Sequence, residues 1–376
     1  MITEKKKILV VAHRWPQRYG GLQNVAFNQT KFLSKYFDVS VYTSYDKKIP
    51  NVKISNTKLI EGKAISYLYN KFGIPQIIFT FSALKKLKEA VKSSDLVIIH
   101  DRYYISSIFA SRYAKKYGKK SILILHTPLL KYKYIMSLFY KFNNWAGKVV
   151  AKNASRVVGV SKETAQIVIN RYKLKKKADF LYNGLDTSVF EKIGEKYKTF
   201  TVLFVGRFVT KKGVDLLPKI FERFKSQKIN FLVVGDGPKF KEVFEKSNHY
   251  SNVKFLGKVV DRNKMEDLYK KSHVFLLPSL YGEAMPLVLL DAIASGTPSV
   301  ATRGGSFGEL FELEKIGYLG NPGDIDFIVN SINFLLNDKK EYSLISKSAK
   351  KFAIKNLDFK VVNEKLLKMI NGELKK

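Results

Sequence analysis

Two carboxylates, Glu283 and Asp291, stand eight residues apart, and the residues between them, Ala-Met-Pro-Leu-Val-Leu-Leu, are mostly apolar. On a helix, eight residues span just over two turns, so the two acids are predicted to lie on one face. Glu283 follows a predicted strand and turn, which places it where the helix would begin. Free backbone N–H groups and the positive end of the helix dipole suit a diphosphate and sugar hydroxyls. The alternative is a buried amphipathic helix that carries two acids by chance.

The same segment continues as a run of small residues and ends at Gly296-Thr-Pro298. The whole pattern resembles the signature of retaining glycosyltransferases of family 4, which have the GT-B fold: Glu, seven residues, Glu, and a small-residue run ending in Gly-x-Pro. The resemblance implies that Glu283 contacts the donor sugar and that Asp291 holds the ribose of the nucleotide. It also places Pro286 and Leu287 in the donor-binding segment. Asp291 replaces the second Glu of the pattern, so the charge is kept but the side chain is one methylene shorter.

A pair of cations precedes this segment in the sequence Phe204-Val-Gly-Arg207 and Lys211-Lys212-Gly213. It resembles the Gly-Arg…Lys-Gly element of the family, and the resemblance implies that Arg207 and Lys212 grip the donor diphosphate. Fixed cations lower the barrier when negative charge develops on a departing diphosphate, and a guanidinium adds bidentate geometry. Taken singly, either residue could instead be a solvated surface charge.

Other segments of the second half resemble the family in the same order. Asn183-Gly-Leu-Asp186 resembles the interdomain Asn-Gly-Val-Asp, and the loop Leu256–Val259 resembles the one that frames the nucleobase, so Val259 is expected at the donor. Arg303-Gly-Gly-Ser-Phe-Gly-Glu309 resembles the Gly-Gly…Glu segment, and we interpret Glu309 as structural. Gly235-Asp-Gly-Pro238 is interpreted as a structural turn.

The first half carries candidates at predicted strand ends. Gly20-Gly21 follows the first strand and opens a helix; a Gly pair usually marks a turn, but here it resembles the loop that approaches the diphosphate and the acceptor. His126 follows a strand and resembles the sugar-facing His of the family; the alternative is a structural histidine. Further residues at strand ends are candidates only: Ser161, His13, His100 and Asp101.

Short apolar strands alternate with helical stretches in both halves, which predicts parallel, doubly wound α/β sheets. The predicted strands of the first half are 8–12, 39–43, 96–100, 121–125 and 156–160, and those of the second are 201–206, 231–235, 253–256, 274–277 and 299–302. Helices are predicted near 22–36, from Val214 to about Lys225 and over about 340–376. We therefore predict two Rossmann-like domains whose sheets face each other across a cleft, the GT-B arrangement. The acceptor-side domain would span 1–183, completed by a helix near 355–376, and the donor-binding domain 184–354.

Composition limits the classes of protein and partner. The chain of 376 residues has no cysteine, which excludes disulfides and thiolate sites and fits a reducing compartment. Its net charge of +35 is uneven: residues 1–185 carry +26 and residues 186–376 carry +9. The first half is therefore expected to meet an anionic partner, either acidic lipid, a lipid phosphate or nucleic acid. The acid-free stretch 129–150 mixes aromatic residues with lysines; it suits a membrane interface or a helix packed on the sheet. No apolar run is long enough to span a membrane.

Several chemistries have no signature in the sequence. There is no Ser-His-Asp arrangement and no histidine cluster with metal spacing. A reaction without metal or other cofactor is therefore expected, and retention of configuration is implied by the resemblance alone.

The leading hypothesis is a retaining glycosyltransferase that moves a sugar from a nucleotide-sugar to a lipid-linked glycan or polysaccharide. It would act in the cytoplasm, as a peripheral protein on the inner face of the cell membrane, with an anionic membrane surface as a partner. A GT-B sugar-nucleotide epimerase and a basic nucleic-acid-binding protein are the alternatives; the ordered motifs argue against the latter, so no nucleic acid is expected.

Overall fold

The computed structural model describes residues 5–15, 21–45, 51–65, 78–127, 137–191 and 195–375. Gly20 and residues 129–136, the first part of the acid-free stretch 129–150, lie outside these ranges. The chain forms two compact units, Met1–Leu181 with Asn363–Lys376, and Tyr182–Val362. We call them unit 1 and unit 2.

The sheet of unit 1 is parallel except at one edge. Its strands run in the order β4-β3-β2-β1-β5-β6-β7-β8, and only the β3–β4 pair is antiparallel among the described strands. Central strands such as Leu96–His100 are buried along their whole length, as expected for a parallel sheet covered on both faces. The strands are β1 Lys7–Val11, β2 Asp38–Tyr45, β3 Thr57–Ile65, β4 Ile78–Phe79, β5 Leu96–His100, β6 Lys120–Leu125, β7 Arg156–Gly159 and β8 Asp179–Phe180.

Helices connect these strands and cover the sheet. They are α1 Gly21–Leu33, α2 Phe81–Lys92, α3 Ile105–Lys116, α4 Ser137–Asn153 and α5 Lys162–Tyr172. Residues 363–376 also pack into unit 1: Leu366 and Ile370 are fully buried there, and the Glu373 carboxylate accepts a hydrogen bond from Arg156 Nε at 3.1 Å.

Unit 2 contains a wholly parallel sheet in the order β11-β10-β9-β12-β13-β14. The strands are β9 Phe200–Val205, β10 Ile229–Val234, β11 Val253–Gly257, β12 Val274–Leu277, β13 Ser299–Thr302 and β14 Gly317–Gly320. The helices are α6 Leu217–Glu222, α7 Phe240–Glu245, α8 Arg262–Lys271, α9 Leu287–Ala294, α10 Glu309–Leu313, α11 Ile325–Asn337 and α12 Lys339–Asn356. The last helix, α13 Phe359–Leu374, begins in unit 2 and belongs to unit 1 from Asn363 onward.

The predicted doubly wound α/β class is confirmed in both units, and each predicted strand is present with ends shifted by no more than a few residues. The predicted helix from Val214 to Lys225 is shorter: a 3-10 turn, Val214–Leu216, leads into α6, which ends at Glu222. Pro218 stands in the first turn of α6, where a missing N–H costs little. Strands β3, β4, β8 and β14 were not predicted, since their sequences carry charges, glycine or only two residues.

Candidate functional site

The candidate donor site of unit 2 is built from loops that follow β9, β12 and β13. These strands are neighbours in the sheet, so their carboxyl ends lie side by side at one edge. The chain goes from β9 to β10 on one side, whereas β12 lies on the other side of β9. Such a switch in strand order leaves a crevice at the carboxyl edge, which is where open α/β sheets bind their ligands.

Glu283 lies in extended backbone, and this corrects the predicted helix. Glu283 pairs with Gly305 as a parallel β-bridge: its N–H donates to the Gly304 carbonyl at 3.1 Å, and its carbonyl accepts from Ser306 N–H at 3.0 Å. Helix α9 begins at Leu287, after Pro286. A residue before proline is pushed out of the helical region, so the helix cannot extend back to Glu283. The prediction that Glu283 and Asp291 share one helix face is therefore wrong.

The Glu283 carboxylate is buried and holds two lysines. Its side chain is 8% exposed, and its Oε1 lies 3.0 Å from Lys212 Nζ and 3.6 Å from Lys211 Nζ. Lys212 is 13% exposed, whereas Lys211 is 43% exposed. The structure thus brings together two of the predicted site residues, Glu283 and Lys212, in a cluster that carries an excess positive charge.

Glycines allow this cluster to form. The 3-10 turn Thr210–Lys212 ends at Gly213, whose φ of 70° is left-handed, and any Cβ there would overlap the Pro278 carbonyl. On the other side, a Cβ on Gly305 would overlap the Glu283 carbonyl oxygen. The turn that contains Lys212 therefore packs directly against the backbone at Pro278, and the loop after β13 packs directly against the backbone at Glu283.

Arg207 follows β9 and its side chain is exposed. Within the part of the chain that the structure describes, its guanidinium has no acidic partner. Arg207 is therefore available to an anion from solution, although no contact joins it to Glu283 or Lys212 in those residues.

Asp291 is engaged by a residue that the sequence analysis missed. Both carboxylate oxygens accept hydrogen bonds from Arg262, at 2.9 Å from Nη2 and 3.1 Å from Nη1, and Arg262 Nε donates to Glu266 at 2.7 Å. Burial raises the pKa of Asp291 and the guanidinium opposes that rise. Arg262 and Glu266 stand four residues apart on α8, a spacing that signals an ion pair but does not reveal Asp291.

The remaining donor-site predictions lie near the start of α9 or on the β11 loop. Pro286 is the N-cap of α9, and its carbonyl accepts from Leu289 N–H at 3.0 Å, while Leu287 is the first helical residue and is partly exposed. Asn183 donates its side-chain N–H to the Met285 carbonyl at 3.0 Å, which fixes the approach to the helix. Val259 lies in the loop after β11 and is partly exposed.

In unit 1, His126 forms a pair with His100. The two side chains meet at the ends of β5 and β6, with His100 Nδ1 and His126 Nε2 2.9 Å apart. Burial lowers the pKa of His100 to about 3, and burial together with His100 lowers the pKa of His126. Both rings are therefore neutral at physiological pH, and His126 can exchange hydrogen bonds with an uncharged hydroxyl. His13, at the end of β1, stacks on Tyr104 at 3.9 Å.

A fully buried ion pair, Asp101 with Arg102, supports the loop that contains His126. Asp101 and Arg102 have no exposed side-chain surface and lie 3.6 Å apart. Arg102 donates to the Thr127 carbonyl at 2.7 Å, and the Thr127 hydroxyl donates to Asp101. Asp101, one of the candidate site residues, is thus part of the structural support for the residue after His126.

Gly21, Ser161 and Glu309 each lie at the start of a helix. Gly21 is the first residue of α1 and is exposed, whereas Gly20 is outside the described residues. Ser161 is the N-cap of α5: its hydroxyl oxygen accepts from Thr164 N–H at 3.0 Å. Glu309 opens α10 and accepts a hydrogen bond from Tyr182, which raises the pKa of that phenol together with burial.

The described residues contain no group of three or more His, Asp or Glu side chains arranged to hold a metal ion. None of their helices is both long and apolar enough to cross a membrane.

Sequence and structure comparisons agree with this fold. The family model for glycosyltransferase family 4 matches residues 19–189, and the model for glycosyl transferases group 1 matches residues 186–352. The sucrose-phosphate synthase of Thermosynechococcus elongatus, 18% identical, superposes with a TM-score of 0.81 over 98% of this chain and 99% of that one. The two units thus have the GT-B fold, as predicted.

Two curated relatives extend the comparison. The chain is 26% identical to the uncharacterized glycosyltransferase MJ1178 of Methanocaldococcus jannaschii over 358 residues, 93% of each protein. It is 28% identical over 234 residues to an Escherichia coli enzyme named UDP-Gal:alpha-D-GlcNAc-diphosphoundecaprenol alpha-1,3-galactosyltransferase, covering 57% of this chain and 59% of that one. The chain belongs to the group 1, family 4 glycosyltransferases of the GT-B fold.

Proposed function

We propose that this glycosyltransferase is a retaining, metal-independent enzyme that transfers a sugar from a nucleotide-sugar to a lipid-linked glycan or polysaccharide. It would act at the cytoplasmic face of a membrane. The observation that carries the proposal is the cluster of Glu283 with Lys212 and Lys211 at the carboxyl edge of the unit 2 sheet. A buried carboxylate beside two cations suits a sugar that is attached to a diphosphate.

The two kinds of charge have separate tasks in this proposal. Lys212 and the exposed Arg207 neutralise the diphosphate as the bond between the sugar C1 and the phosphate oxygen breaks. Glu283 accepts hydrogen bonds from sugar hydroxyls, and Lys212 Nζ, 3.0 Å from its carboxylate, offsets its negative charge. The acceptor oxygen forms the new bond to C1 on the face that the diphosphate leaves, and its proton passes to the departing phosphate. The fixed cations thereby supply the charge stabilisation that a bound metal supplies in other sites.

Asp291 acts together with Arg262 at the ribose in this proposal. The bidentate pair leaves a carboxylate with spare lone pairs and a guanidinium with spare donors. The shorter Asp side chain thus reaches the ribose as part of an ion pair. Replacing Asp291 by Glu would push the carboxylate into Arg262, so the effect of this change on nucleotide affinity tests the arrangement.

Uridine nucleotides are the first donors to test, because the E. coli relative is named for UDP-Gal and for a diphosphoundecaprenol-linked acceptor. The charge of unit 1 supports an acceptor in an anionic membrane. No acidic residue occurs between Asp101 and Glu163 in the sequence. Within that stretch, Trp145 on α4 is 45% exposed, and the Arg112 guanidinium lies 5.3 Å from its ring. An exposed tryptophan beside cations suits the interface of an anionic bilayer.

The test begins with binding. Melting temperatures are measured without metal for UDP, GDP and ADP and their sugars, since a ligand that binds the native state raises the melting temperature. The proposal expects one nucleotide to bind. The Lys212→Ala variant should bind it more weakly and lose about 100-fold in turnover with a polyprenyl-diphosphate acceptor. Lys241, which is 87% exposed, provides the control Lys241→Ala, which should behave as wild type.

The outcomes separate the parts of the proposal. If no nucleotide shifts the melting temperature, the donor site is absent. If a nucleotide binds but Lys212→Ala transfers sugar at the wild-type rate, the lysine cluster does not serve the diphosphate. If chelation of metals abolishes turnover, the metal-independent mechanism is wrong. The anomeric configuration of the product, read by NMR, decides between retention and inversion.

A further inference from the structure

A second cavity of unit 2 lies at the opposite edge of the sheet from the candidate donor site. Its volume is about 410 Å³, and its wall includes residues at the amino ends of three adjacent strands. Phe200 is the first residue of β9, Lys228 precedes β10, and His273 precedes β12. The donor-site loops follow the carboxyl ends, and the six residues of β9 separate the two edges by about 20 Å.

A hydrogen bond from the backbone fixes the tautomer of His273, so that its ring offers an N–H donor. Its Nδ1 accepts a hydrogen bond from Thr201 N–H at 3.1 Å. Burial and then the charge of Lys196 lower its pKa to about 4, so the ring is neutral at physiological pH. A neutral imidazole that accepts at Nδ1 carries its proton on Nε2. Nε2 has no hydrogen-bond partner among the described residues.

Other groups on the cavity wall are also donors. The buried Tyr342 hydroxyl has no hydrogen-bond partner among the described residues, and burial raises its pKa, so it keeps its proton. Three exposed lysines have no acidic partner in the same part of the chain, and they are Lys198, Lys228 and Lys339.

The acids nearest in sequence are already engaged. The carboxylate of Asp338 caps α12 by accepting from Glu341 N–H at 2.8 Å. The carboxylate of Glu341 pairs with Lys315 at 2.7 Å. No acidic side chain is among the described residues that line the cavity, so its charge is positive.

The rest of the wall is apolar. Phe200 stacks on His273 with ring centroids 4.8 Å apart, and Leu335 and Leu336 come from the end of α11. We propose that this cavity binds a small organic anion, a phosphate or carboxylate on an apolar body. The lysines with the Tyr342 hydroxyl and His273 Nε2–H would hold the anionic group, and the phenylalanine and leucines would contact the body. The volume lies within the range of small-molecule sites, roughly 300–1,000 Å³.

The test uses 1-naphthyl phosphate, 1-naphthoate, the uncharged 1-naphthalenemethanol and inorganic phosphate. Binding is followed by NMR of the full chain labelled at its five histidines. The His273 resonance should move on titration with both naphthyl anions, and that of His249, which is not on the cavity wall, should not. The alcohol and inorganic phosphate should each bind about tenfold more weakly, because the alcohol lacks the anionic group and inorganic phosphate lacks the apolar body.

Variants locate the site. Lys228→Ala/Lys339→Ala should weaken naphthyl phosphate about tenfold, and Lys241→Ala/Lys264→Ala, with the same net charge, should not. Tyr342→Phe removes one hydroxyl and should weaken the anion about threefold. Binding should be unchanged in Lys212→Ala. Equal affinity for the alcohol, an unmoved His273 resonance, loss of binding in Lys212→Ala or no binding at all would each overturn the proposal.

Discussion

Arg262→Ala tests the ion pair that holds Asp291. Removing one partner of a fully buried pair costs about 3–5 kcal/mol, because the other charge remains buried and unpaired. Asp291 is only 12% exposed, but Arg262 is 52% exposed, so water replaces part of the lost interaction. We therefore expect the free energy of unfolding of unit 2 to fall by about 2 kcal/mol. For a unit of this size, the melting temperature falls by about 4–8 °C.

The same variant should show a distinctive pH dependence. Burial already raises the pKa of Asp291, and loss of the guanidinium removes the interaction that opposes this rise. From about pH 4 up to the raised pKa, the folded variant then holds a proton that the unfolded chain has released. Stability therefore falls as pH rises through this window and recovers on acidification. The deficit of Arg262→Ala relative to wild type should be largest at neutral pH.

Arg303→Ala is the matched control. Arg303 pairs with Glu312 at 2.8 Å, but both side chains are exposed, 48% and 62%, so its loss should cost about 0.5 kcal/mol or less. Arg262→Ala/Asp291→Asn removes the buried charge of Asp291, although Glu266, 10% exposed, still lacks its arginine partner. It should therefore recover part of the deficit and lose the pH dependence that Asp291 causes. If Arg262→Ala melts like Arg303→Ala, or if its deficit is the same at every pH, the reasoning about the buried pair is refuted.

Three further perturbations have defined outcomes. Gly305→Ala should lower the free energy of unfolding in denaturant by about 2–3 kcal/mol, because its Cβ would overlap the Glu283 carbonyl, while Gly372→Ala, with open space around it, should not destabilise. Ser161→Ala should cost about 1 kcal/mol in denaturant unfolding through the lost helix cap and leave turnover unchanged; reduced turnover with full stability would assign Ser161 to the site. The buried His100 has its pKa lowered to about 3, so the unfolded chain binds its proton first as pH falls below about 6.5. Wild type should therefore lose about 1 kcal/mol more than His100→Gln between pH 7 and 5.5, and parallel pH curves would contradict this.

The sequence predicted the central strands because they are buried on both faces. Runs such as Leu96–His100 leave no other interpretation, since a continuous apolar segment of this length between helices suits a parallel strand. The strand Thr57–Ile65, next to the edge of the sheet, is only partly buried and carries charges, so local pattern does not identify it. Its pairing with Asp38–Tyr45 is a contact between distant segments, which the alternation of residues cannot reveal.

The site likewise contains residues that local motifs predicted and residues that only tertiary packing reveals. Glu283 and Lys212 were predicted from motifs and lie 3.0 Å apart, because each motif sits at the end of one of two adjacent strands. The prediction of a helix before Pro286 was wrong, because the spacing between the two acids was given more weight than the constraint that proline places on the residue before it. Arg262 was missed, because its partner is 29 residues away and only the packing of α8 against α9 joins them.

The segment 363–375 has a consequence for how the protein is made. Leu366, Ile370 and Glu373 complete unit 1, yet they are synthesised after the whole of unit 2. Domains usually fold as they leave the ribosome, the first one first. Arg156 is synthesised more than two hundred residues before its partner Glu373. At about 5–20 residues per second, this contact is delayed by some tens of seconds. The nascent protein therefore carries an incomplete, strongly basic first unit through the second half of its synthesis, and unit 2 is the one free to fold first.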